Sequence, residues 1–220
     1  MVIAPHPDDE TLGCGGTIKL LTQSDVAVDV VYLTLGELGF DCGEEGTPAE
    51  RRRLGAIRAV EAREACDVLG VRHVHFLPGN DGQLSQQGHL ADSLAALLRT
   101  EPYRRLFCPW SGEGHVDHRA TFSLVRQALS RSPSQGPAVW LYEIWTPLRP
   151  TAYVPIELTI GFKQAAIERH RSQLQVRDYR TAVLGLAAYR ALICPPAKYA
   201  EAFVVCDFDE LWTLEGPAAS

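Results

Sequence analysis

Histidine and aspartate are concentrated in one short stretch near the start of the chain. Residues 5–10 read PHPDDE, so His6, Asp8 and Asp9 lie close together. An apolar run precedes this stretch and LGCGGTIKLL follows it, which predicts a strand, a polar elbow and a helix. Neutral imidazole and carboxylate oxygen are both good ligands for a borderline divalent metal such as zinc. The elbow is therefore a candidate metal site.

A structural role for the same residues is the alternative. Asp8 or Asp9 would then cap the following helix or interact with its dipole, and the two prolines would only shape the turn. One histidine beside a helix start does not decide between these interpretations. A metal site requires a second group of ligands from elsewhere in the chain.

The second group is found in GHVDHRAT, residues 114–121, which follows the apolar segment RLFCPW. His115 and His118 lie three positions apart at a predicted helix start, a spacing that brings both imidazoles to one face of the helix. Ligands in open α/β folds bind beyond the carboxyl ends of the strands, so the two clusters are expected to face each other across a crevice.

Such a crevice would offer His6, Asp9 and one of the two downstream histidines as three ligands, with a fourth position open to water. Three protein ligands plus water is the arrangement of a catalytic zinc site, whereas structural sites are closed. The carboxylate and the imidazole left over would then serve as a base and an acid.

PHPDDE followed far downstream by HVDH resembles the LmbE-like, or PIG-L, family of zinc-dependent N-acetylglucosamine deacetylases. The resemblance extends over nearly the whole chain, and the ordered series of motifs is more specific than any one of them. The further motifs that fit the family are LTLGELG (33–39), RAVEAREACDVLG (58–70), FLPGNDG (76–82), KQAAIERHRSQ (163–173) and YAEAF (199–203).

The resemblance implies a role for each residue of the two clusters. His6, Asp9 and His118 would bind Zn²⁺, with Fe²⁺ or Co²⁺ as other possible metals. Asp8, next to a ligand, would be the general base. His115, protonated, would stabilise the oxyanion or give a proton to the leaving amine.

Three further carboxylates are candidates for supporting roles. Asp117 would hold an imidazole tautomer through its ring N–H. Asp81, in the NDG turn, matches a family aspartate that contacts the sugar, although a turn former is the alternative. Glu37, in the glycine-rich loop 36–47, is predicted to line the site as a substrate-binding residue or as a neighbour of the metal or His118. A surface carboxylate is equally compatible with its position.

The expected substrate is a small-molecule N-acylated sugar, specifically a soluble N-acetylglucosamine glycoside such as a precursor of a low-molecular-weight thiol. One alternative is a sugar- or metal-binding module without catalysis, although a binder needs neither acid nor base. Another is a hydrolase of a different acylated amine, such as a chito-oligosaccharide or an antibiotic, or of a phosphoester. Trp110 and Trp145 would supply an apolar surface for a sugar ring. The proline-rich segment after Trp145 is a candidate interface between copies of the chain in a homo-oligomer.

Strands and helices are predicted to alternate as far as residue 145, which favours a three-layer, Rossmann-like, mostly parallel sheet with helices on both faces. We expect a single domain over residues 1–220. Beyond a short first strand and a helix over 11–22, the predicted strands are 27–36, 71–79, 104–110, 138–145 and 202–208, and the predicted helices are 48–69, 89–98, 115–129, 161–173 and 180–191.

Composition narrows the function classes. The net charge of −6 and the pI near 5.6 argue against nucleic-acid binding, and the basic run at 51–53 is expected to be a solvated helix end. No apolar stretch is long enough to predict a membrane span. The 6 cysteines form no C-x-x-C pair, which predicts free thiols and a reducing cytoplasm. Because the first strand is so short, we expect the chain to begin inside the domain.

The remaining conspicuous residues are expected to have structural roles. His73 and His75 alternate with apolar neighbours on a strand. His170, on a helix among charged residues, is expected either to have a structural role or to contact a metal ligand. Gly13, Gly15 and Gly16 are expected to let the first helix pack closely on the sheet or to leave room for a ligand.

Overall fold

The computed structural model describes residues 1–39, 46–131, 136–207 and 209–214. These residues form seven strands joined in a single sheet. The strands are β1 (Val2–Ala4), β2 (Asp29–Thr34), β3 (His73–Gly79), β4 (Arg105–Pro109), β5 (Ala138–Tyr142), β6 (Ala152–Pro155) and β7 (Ala200–Cys206).

The sheet has the strand order β3-β2-β1-β4-β5-β7-β6. Strands β1 to β5 are parallel, whereas β7 runs antiparallel to both β5 and β6. The expected mostly parallel sheet is thus confirmed. Strands β2 and β3 lie on one side of β1, and β4 and β5 lie on its other side. The direction in which strands are added to the sheet therefore reverses between β1 and β4. This reversal leaves a crevice at the carboxyl ends of those two strands.

Helices cover both faces of the sheet. They are α1 (Asp9–Gln23), α2 (Pro48–Leu69), α3 (Leu90–Leu98), α4 (Val116–Ser130), α5 (Ile160–Ile167), α6 (Arg171–Leu174) and α7 (Tyr179–Ala191). Two short 3₁₀ segments, Leu84–Gln86 and Glu210–Trp212, complete the described structure.

The two faces of the sheet bury separate apolar cores. Along β1, Ile3 belongs to the core beneath α3 and α4, whereas Val2 and Ala4 belong to the core beneath α1, α2 and α5. Adjacent strand residues point to opposite faces, and both faces are covered here. This explains why the first strand is apolar without alternation.

Helix α2 begins at a well-formed capping box. The Thr47 hydroxyl accepts a hydrogen bond from the Glu50 amide at 3.3 Å, and the Glu50 carboxylate accepts one from the Thr47 amide at 2.8 Å. Pro48 occupies the first turn, and Gly70 ends the helix in the left-handed region with φ of 80°. These local signals explain why its bounds match the sequence pattern closely.

Glycines allow α1 to pack tightly against its neighbours. A Cβ atom on Gly13 would lie 2.2 Å from the Tyr142 ring, and one on Gly16 would lie 2.8 Å from Ile156. Close packing is therefore the reason for these two glycines.

Helix α1 is also interrupted at Cys14, where φ is −144°. The Glu201 carboxylate, on β7, accepts hydrogen bonds from the amides of Gly16 and Thr17 at 2.9 and 2.7 Å. Because a break in a helix leaves amide groups without helical partners, this carboxylate acts as a cap inside the helix.

The predicted helix over 161–173 is wrong in its continuity, because α5 ends at Ile167 and the short α6 follows. Glu61, on α2, accepts hydrogen bonds from the Ser172 amide at 2.9 Å and from the Ser172 hydroxyl at 2.7 Å. These bonds to α2 compete with the hydrogen bonds that a continued helix would make. The apolar periodicity of the sequence does not show this competition. The edge strand β6 lies inside the proline-rich segment, as is common for edge strands.

Parts of three predictions fall outside the described residues: the middle of loop 36–47 at residues 40–45, Cys42, and the end of the last predicted strand at residue 208. The other five cysteines are free. Among the residues that the structure describes, no helix combines the length and apolarity needed to cross a bilayer.

Candidate active site

The two polar clusters lie side by side at the reversal of the strand order. The elbow PHPDDE follows β1 directly. Residues 110–115 connect β4 to α4, and His118 lies in the first turn of α4. Because β1 and β4 are adjacent and parallel, both connections leave the same edge of the sheet. The meeting of the two clusters follows from topology.

Asp8 occupies a strained position in the elbow. Its φ of 125° lies in a region that residues with side chains rarely adopt, and such a conformation costs roughly 1–3 kcal/mol. Asp8 precedes α1, but its side chain caps no amide of that helix. The capping alternative therefore does not explain this carboxylate.

His6, Asp9 and His118 converge on one point. Asp9 Oδ2 lies 3.1 Å from His6 Nδ1, and Asp9 Oδ1 lies 3.4 Å from His118 Nε2. All three side chains are buried. Ligand atoms at zinc distances of about 2.0–2.2 Å lie roughly 3.3–3.6 Å apart in a tetrahedral site. The two separations are close to that range, and each uses a different oxygen of Asp9.

In both His6 and His118, the ring nitrogen that faces away from Asp9 also lies beside a carboxylate. His6 Nε2 lies 3.2 Å from Asp117 Oδ2 and 3.1 Å from Asp81 Oδ1, and His118 Nδ1 lies 3.3 Å from Glu113 Oε2. Metal-binding histidines commonly donate their other ring N–H to a carboxylate in this way. The donor set therefore fits a divalent cation.

The electrostatics of the site favour positive charge at its centre. Burial by itself would lower the pKa of His6, but hydrogen bonds to Asp117, Asp81 and Asp9 raise that pKa well above its usual range. Burial would raise the pKa of Asp9, whereas His118 and His6 lower it. Carboxylates that stabilise a proton on an imidazole would also stabilise a metal ion.

Other combinations of ligands are also close enough to consider. One ligand atom each from His6, His115 and His118 lies within 4.8 Å of the other two, and the same holds for His6, Asp81 and Asp117. Asp9 contacts His6 through one oxygen and His118 through the other, so the set that contains Asp9 stays a prediction.

Arg58, on α2, is the main partner of Asp8. Its Nη2 lies 3.2 Å from Asp8 Oδ2 and donates to the Pro7 carbonyl at 2.6 Å, while its Nη1 donates to the Gly36 carbonyl at 2.9 Å. Burial raises the pKa of Asp8 to about 6, although the guanidinium opposes this rise. A carboxyl with a raised pKa is a stronger base once ionised.

His115 lies beside both candidate imidazole ligands. Its ring centroid is 4.9 Å from that of His6 and 4.9 Å from that of His118. Its Nδ1 accepts a hydrogen bond from the Asp117 amide at 3.2 Å, so the ring proton of a neutral imidazole is on Nε2. Burial, His6 and His118 all lower the pKa of His115. Both observations favour a neutral His115 in the absence of substrate, and its protonated form stays a prediction.

Asp81 and Glu37 are placed differently. Asp81 lines the central cavity, and its Oδ2 accepts a hydrogen bond from the Leu38 amide at 2.8 Å. Glu37 instead accepts a hydrogen bond from the Asp81 amide at 3.1 Å and is absent from the described lining of that cavity. Glu113, rather than Glu37, is the carboxylate beside His118. In the described part of the chain, Glu37 therefore reaches the site through the Asp81 amide.

The cavity above the two clusters has a volume of about 310 Å³. Seven of the lining residues are not among the site residues predicted from the sequence: Leu12, Leu38, Gly39, Arg58, Gly82, Gln173 and Tyr179. Arg58 was visible only as part of a helix motif, and Gln173 and Tyr179 come from the last third of the chain. The one signal in the sequence that could have identified such residues is a polar side chain within an otherwise amphipathic helix pattern.

The two tryptophans do not share a role. Trp145 lines the cavity and keeps 41% of its surface exposed. The Trp110 indole donates to the Thr146 carbonyl at 2.8 Å, so it supports the segment next to Trp145.

Of the other histidines, His73 and His75 lie on β3 away from the two clusters, whereas His170 lies beside the PHPDDE elbow. His73 and His75 share one face of β3, with ring centroids 6.3 Å apart. His170 is buried, with Nε2 3.8 Å from Glu10. Arg52 and Arg53 are exposed, as expected for the solvated start of α2.

Curated relatives share much of the chain. A probable N-acetyl-alpha-D-glucosaminyl L-malate deacetylase 2 of Bacillus cereus is 31% identical over 184 residues, which cover 80% of this chain and 83% of the relative. A diacetylchitobiose deacetylase of Thermococcus kodakarensis is 32% identical over 193 residues, which cover 79% and 69% of the two chains.

A solved structure confirms the fold. The N,N'-diacetylchitobiose deacetylase from Pyrococcus horikoshii superposes with a TM-score of 0.83 at 27% identity, over 99% of this chain and 86% of the other. The family model PIG-L, described as GlcNAc-PI de-N-acetylase, matches residues 1–129. That range contains both polar clusters. The chain therefore belongs to the PIG-L family.

Proposed function

We propose that this protein is a zinc-dependent deacetylase that removes the N-acetyl group from a small N-acetylglucosamine-type glycoside. The observation that carries the proposal is the convergence of His6, Asp9 and His118 beside Asp8 and His115 in one cavity. The names of the relatives, which refer to deacetylation of glucosaminyl malate and diacetylchitobiose, support the substrate class.

His6, Asp9 and His118 would hold the metal, and Asp117 would orient His6 through its ring N–H. When bound, zinc lowers the pKa of water to about 7 and polarises a carbonyl oxygen. Fe²⁺ and Co²⁺ are compatible with the same nitrogen and oxygen ligands.

Asp8 would take the proton of the attacking water as the bond to the acetamide carbon forms. Arg58 holds this carboxylate in place. His115 would donate its Nε2–H to the oxyanion that develops on the carbonyl. When the carbon–nitrogen bond breaks, the proton on Asp8 passes to the amine, giving acetate and a free amino sugar.

The cavity fits a small substrate. Its volume of about 310 Å³ is at the lower end of the range of roughly 300–1,000 Å³ for small-molecule sites. Asp81 and Trp145 would contact the sugar by hydrogen bonding and by its apolar face. Glu37 would act on substrate binding through Asp81.

Two broader features complete the proposal. We infer a single catalytic domain, because one sheet contains both clusters. We also propose a cytoplasmic location, which the five described free cysteines support.

The test is acetate release from N-acetylglucosaminyl malate and N,N'-diacetylchitobiose. Chelation should abolish release and zinc should restore it. Asp8→Ala should retain zinc but lose about 10²–10⁴-fold in kcat, the usual contribution of a general base. Most of the activity surviving in Asp8→Ala would refute the base assignment. Saturable sugar binding without turnover would favour a binding module, and release from other acylated amines or phosphoesters would redirect the substrate class.

A further inference from the structure

Glu113 is a buried carboxylate between the proposed metal ligands and the substrate side of the cavity. It lies on the connection from β4 to α4 and is 1% exposed. One oxygen, Oε2, lies 3.3 Å from His118 Nδ1. The proposed chemistry gives it no role, although it touches a ligand imidazole.

The other oxygen contacts the segment that contains Trp145. Glu113 Oε1 accepts hydrogen bonds from the amides of Ile144 and Trp145 at 2.6 and 3.2 Å, and Thr146 is a longer partner at 3.4 Å. This segment follows β5 and contributes Trp145 to the cavity. One carboxylate therefore joins His118 to a wall of the cavity.

The backbone around Glu113 is itself fixed. Arg119, on α4, donates to the Glu113 carbonyl at 2.8 Å and to the Gly114 carbonyl at 2.9 Å. The carboxylate is thus anchored to the same helix that holds His118.

We propose that Glu113 is a positioning residue that fixes the imidazole of His118 for metal binding and, through the backbone of residues 144–146, sets the position of Trp145. This inference rests on the proposed metal site. A ligand imidazole that binds through Nε2 has its proton on Nδ1, and Glu113 Oε2 is placed to accept it.

Counting acceptors explains why a carboxylate is required. Glu113 Oε1 accepts from the Ile144 amide, whereas Oε2 faces the His118 ring and also accepts from the Trp145 amide at 3.2 Å. Glutamine has one acceptor oxygen and one NH₂ group that cannot accept. In Glu113→Gln the His118 ring N–H and the backbone amides of Ile144 and Trp145 must therefore compete for one accepting oxygen, which weakens both contacts.

Glu143 offers a matched control on the same segment. Its carboxylate accepts the Leu148 amide at 2.8 Å and pairs with Arg190, so it also holds the segment after β5. None of its described contacts is with an imidazole. Glu143→Gln thus disturbs the segment without touching His118.

The experiment is a zinc titration of the metal-free protein by competition with a chromophoric chelator. Relative to the wild type, Glu113→Gln should bind zinc about 10–100-fold more weakly, the usual loss for such a partner, and Glu143→Gln within about twofold. Unchanged zinc affinity in Glu113→Gln would overturn the proposal. A wild type that binds no zinc would instead overturn the proposed metal site itself.

At saturating zinc, Glu113→Gln should also raise KM for the acetylated sugar, because Trp145 loses its anchor. An unchanged KM would refute the link to Trp145. Should Glu113→Gln fail to fold, nitrogen-correlated NMR of the zinc-loaded wild type replaces it. A deshielded, exchange-protected proton on His118 Nδ1 is expected, and its absence would overturn the proposal.

Discussion

Arg58 shows how a side chain remote in sequence holds the PHPDDE elbow in place. Its guanidinium is 4% exposed and binds the Pro7 and Gly36 carbonyls as well as Asp8. The guanidinium offers three N–H donors in fixed directions, one for each of these acceptors. The ammonium group of a lysine could not donate in all three directions. The strained elbow at Asp8 is thus held by contacts from α2.

Arg58→Met is expected to lower both stability and activity. Removing one partner of a buried ion pair costs about 3–5 kcal/mol, and Asp8 would lose the group that positions it. Urea unfolding and acetate release measure the two effects. Arg52→Met, at an exposed position on the same helix, should leave both unchanged. Equal stability of Arg58→Met and wild type would contradict the proposed anchoring role.

Residue types and spacing were enough to predict the contact between the two clusters. His6 and Asp9 directly follow one strand and His118 lies just beyond another, so their positions depend on short local segments. Arg58 and Glu113 were not predicted, because their partners are remote in sequence or are backbone groups. A side chain's type does not show which carbonyl or amide it will meet.

At the scale of elements, the broken helix α1 depends on a buried ion pair. Lys163 Nζ, from α5, lies 2.5 Å from Glu201 Oε1 and donates to the Leu12 carbonyl at 2.8 Å. Glu201 in turn accepts the amides of Gly16 and Thr17. The pair thus satisfies backbone groups on both sides of the break.

Replacing either partner of this pair should be strongly destabilising. Lys163→Met and Glu201→Gln are each expected to cost about 3–5 kcal/mol, because each leaves a buried charge or buried amides uncompensated. The double variant should cost less than the sum of the two. Chemical denaturation of all three variants tests this, and additive losses would show that the two residues act independently.

Element types were predictable where local signals were strong. The amphipathic pattern predicted α2, and the capping box and terminal glycine of the structure explain its bounds. The break in α1 and the split between α5 and α6 arise from Glu201 and Glu61 on other elements. Amphipathic periodicity contains no information about such remote acceptors.

At the scale of the whole molecule, alternation of strands and helices predicted a parallel sheet, but not the strand order. The antiparallel placement of β7 between β5 and β6 depends on pairing between strands distant in sequence. The packing of the complete chain decides the strand order, so local sequence patterns could not predict it.

The opposite end of the sheet provides a test of acid stability. Arg72 donates to Asp29 at 2.9 and 2.6 Å, and Tyr103 donates to it at 2.5 Å. Burial would raise the pKa of Asp29, but these hydrogen bonds lower it overall. A lowered folded-state pKa gives stability that is present above the unfolded-state pKa of about 3.9 and is lost as pH falls through the folded-state value.

Asp29→Asn is therefore expected to destabilise the protein by about 1–3 kcal/mol at neutral pH and to weaken the loss of stability below about pH 4. Unfolding free energies measured from pH 7 down to pH 3 would show both effects. An acid limb as steep as that of the wild type would exclude Asp29 as its source.

The central claim is that one divalent ion is held by His6, Asp9 and His118. The most direct test is a crystal structure of the zinc-loaded protein with anomalous scattering recorded at the zinc edge. We expect one peak at the carboxyl ends of β1 and β4, with two imidazole nitrogens and Asp9 oxygen about 2.0–2.2 Å away. An ion bound by His6, His115 and His118 without Asp9, or a cavity without zinc, would contradict the account.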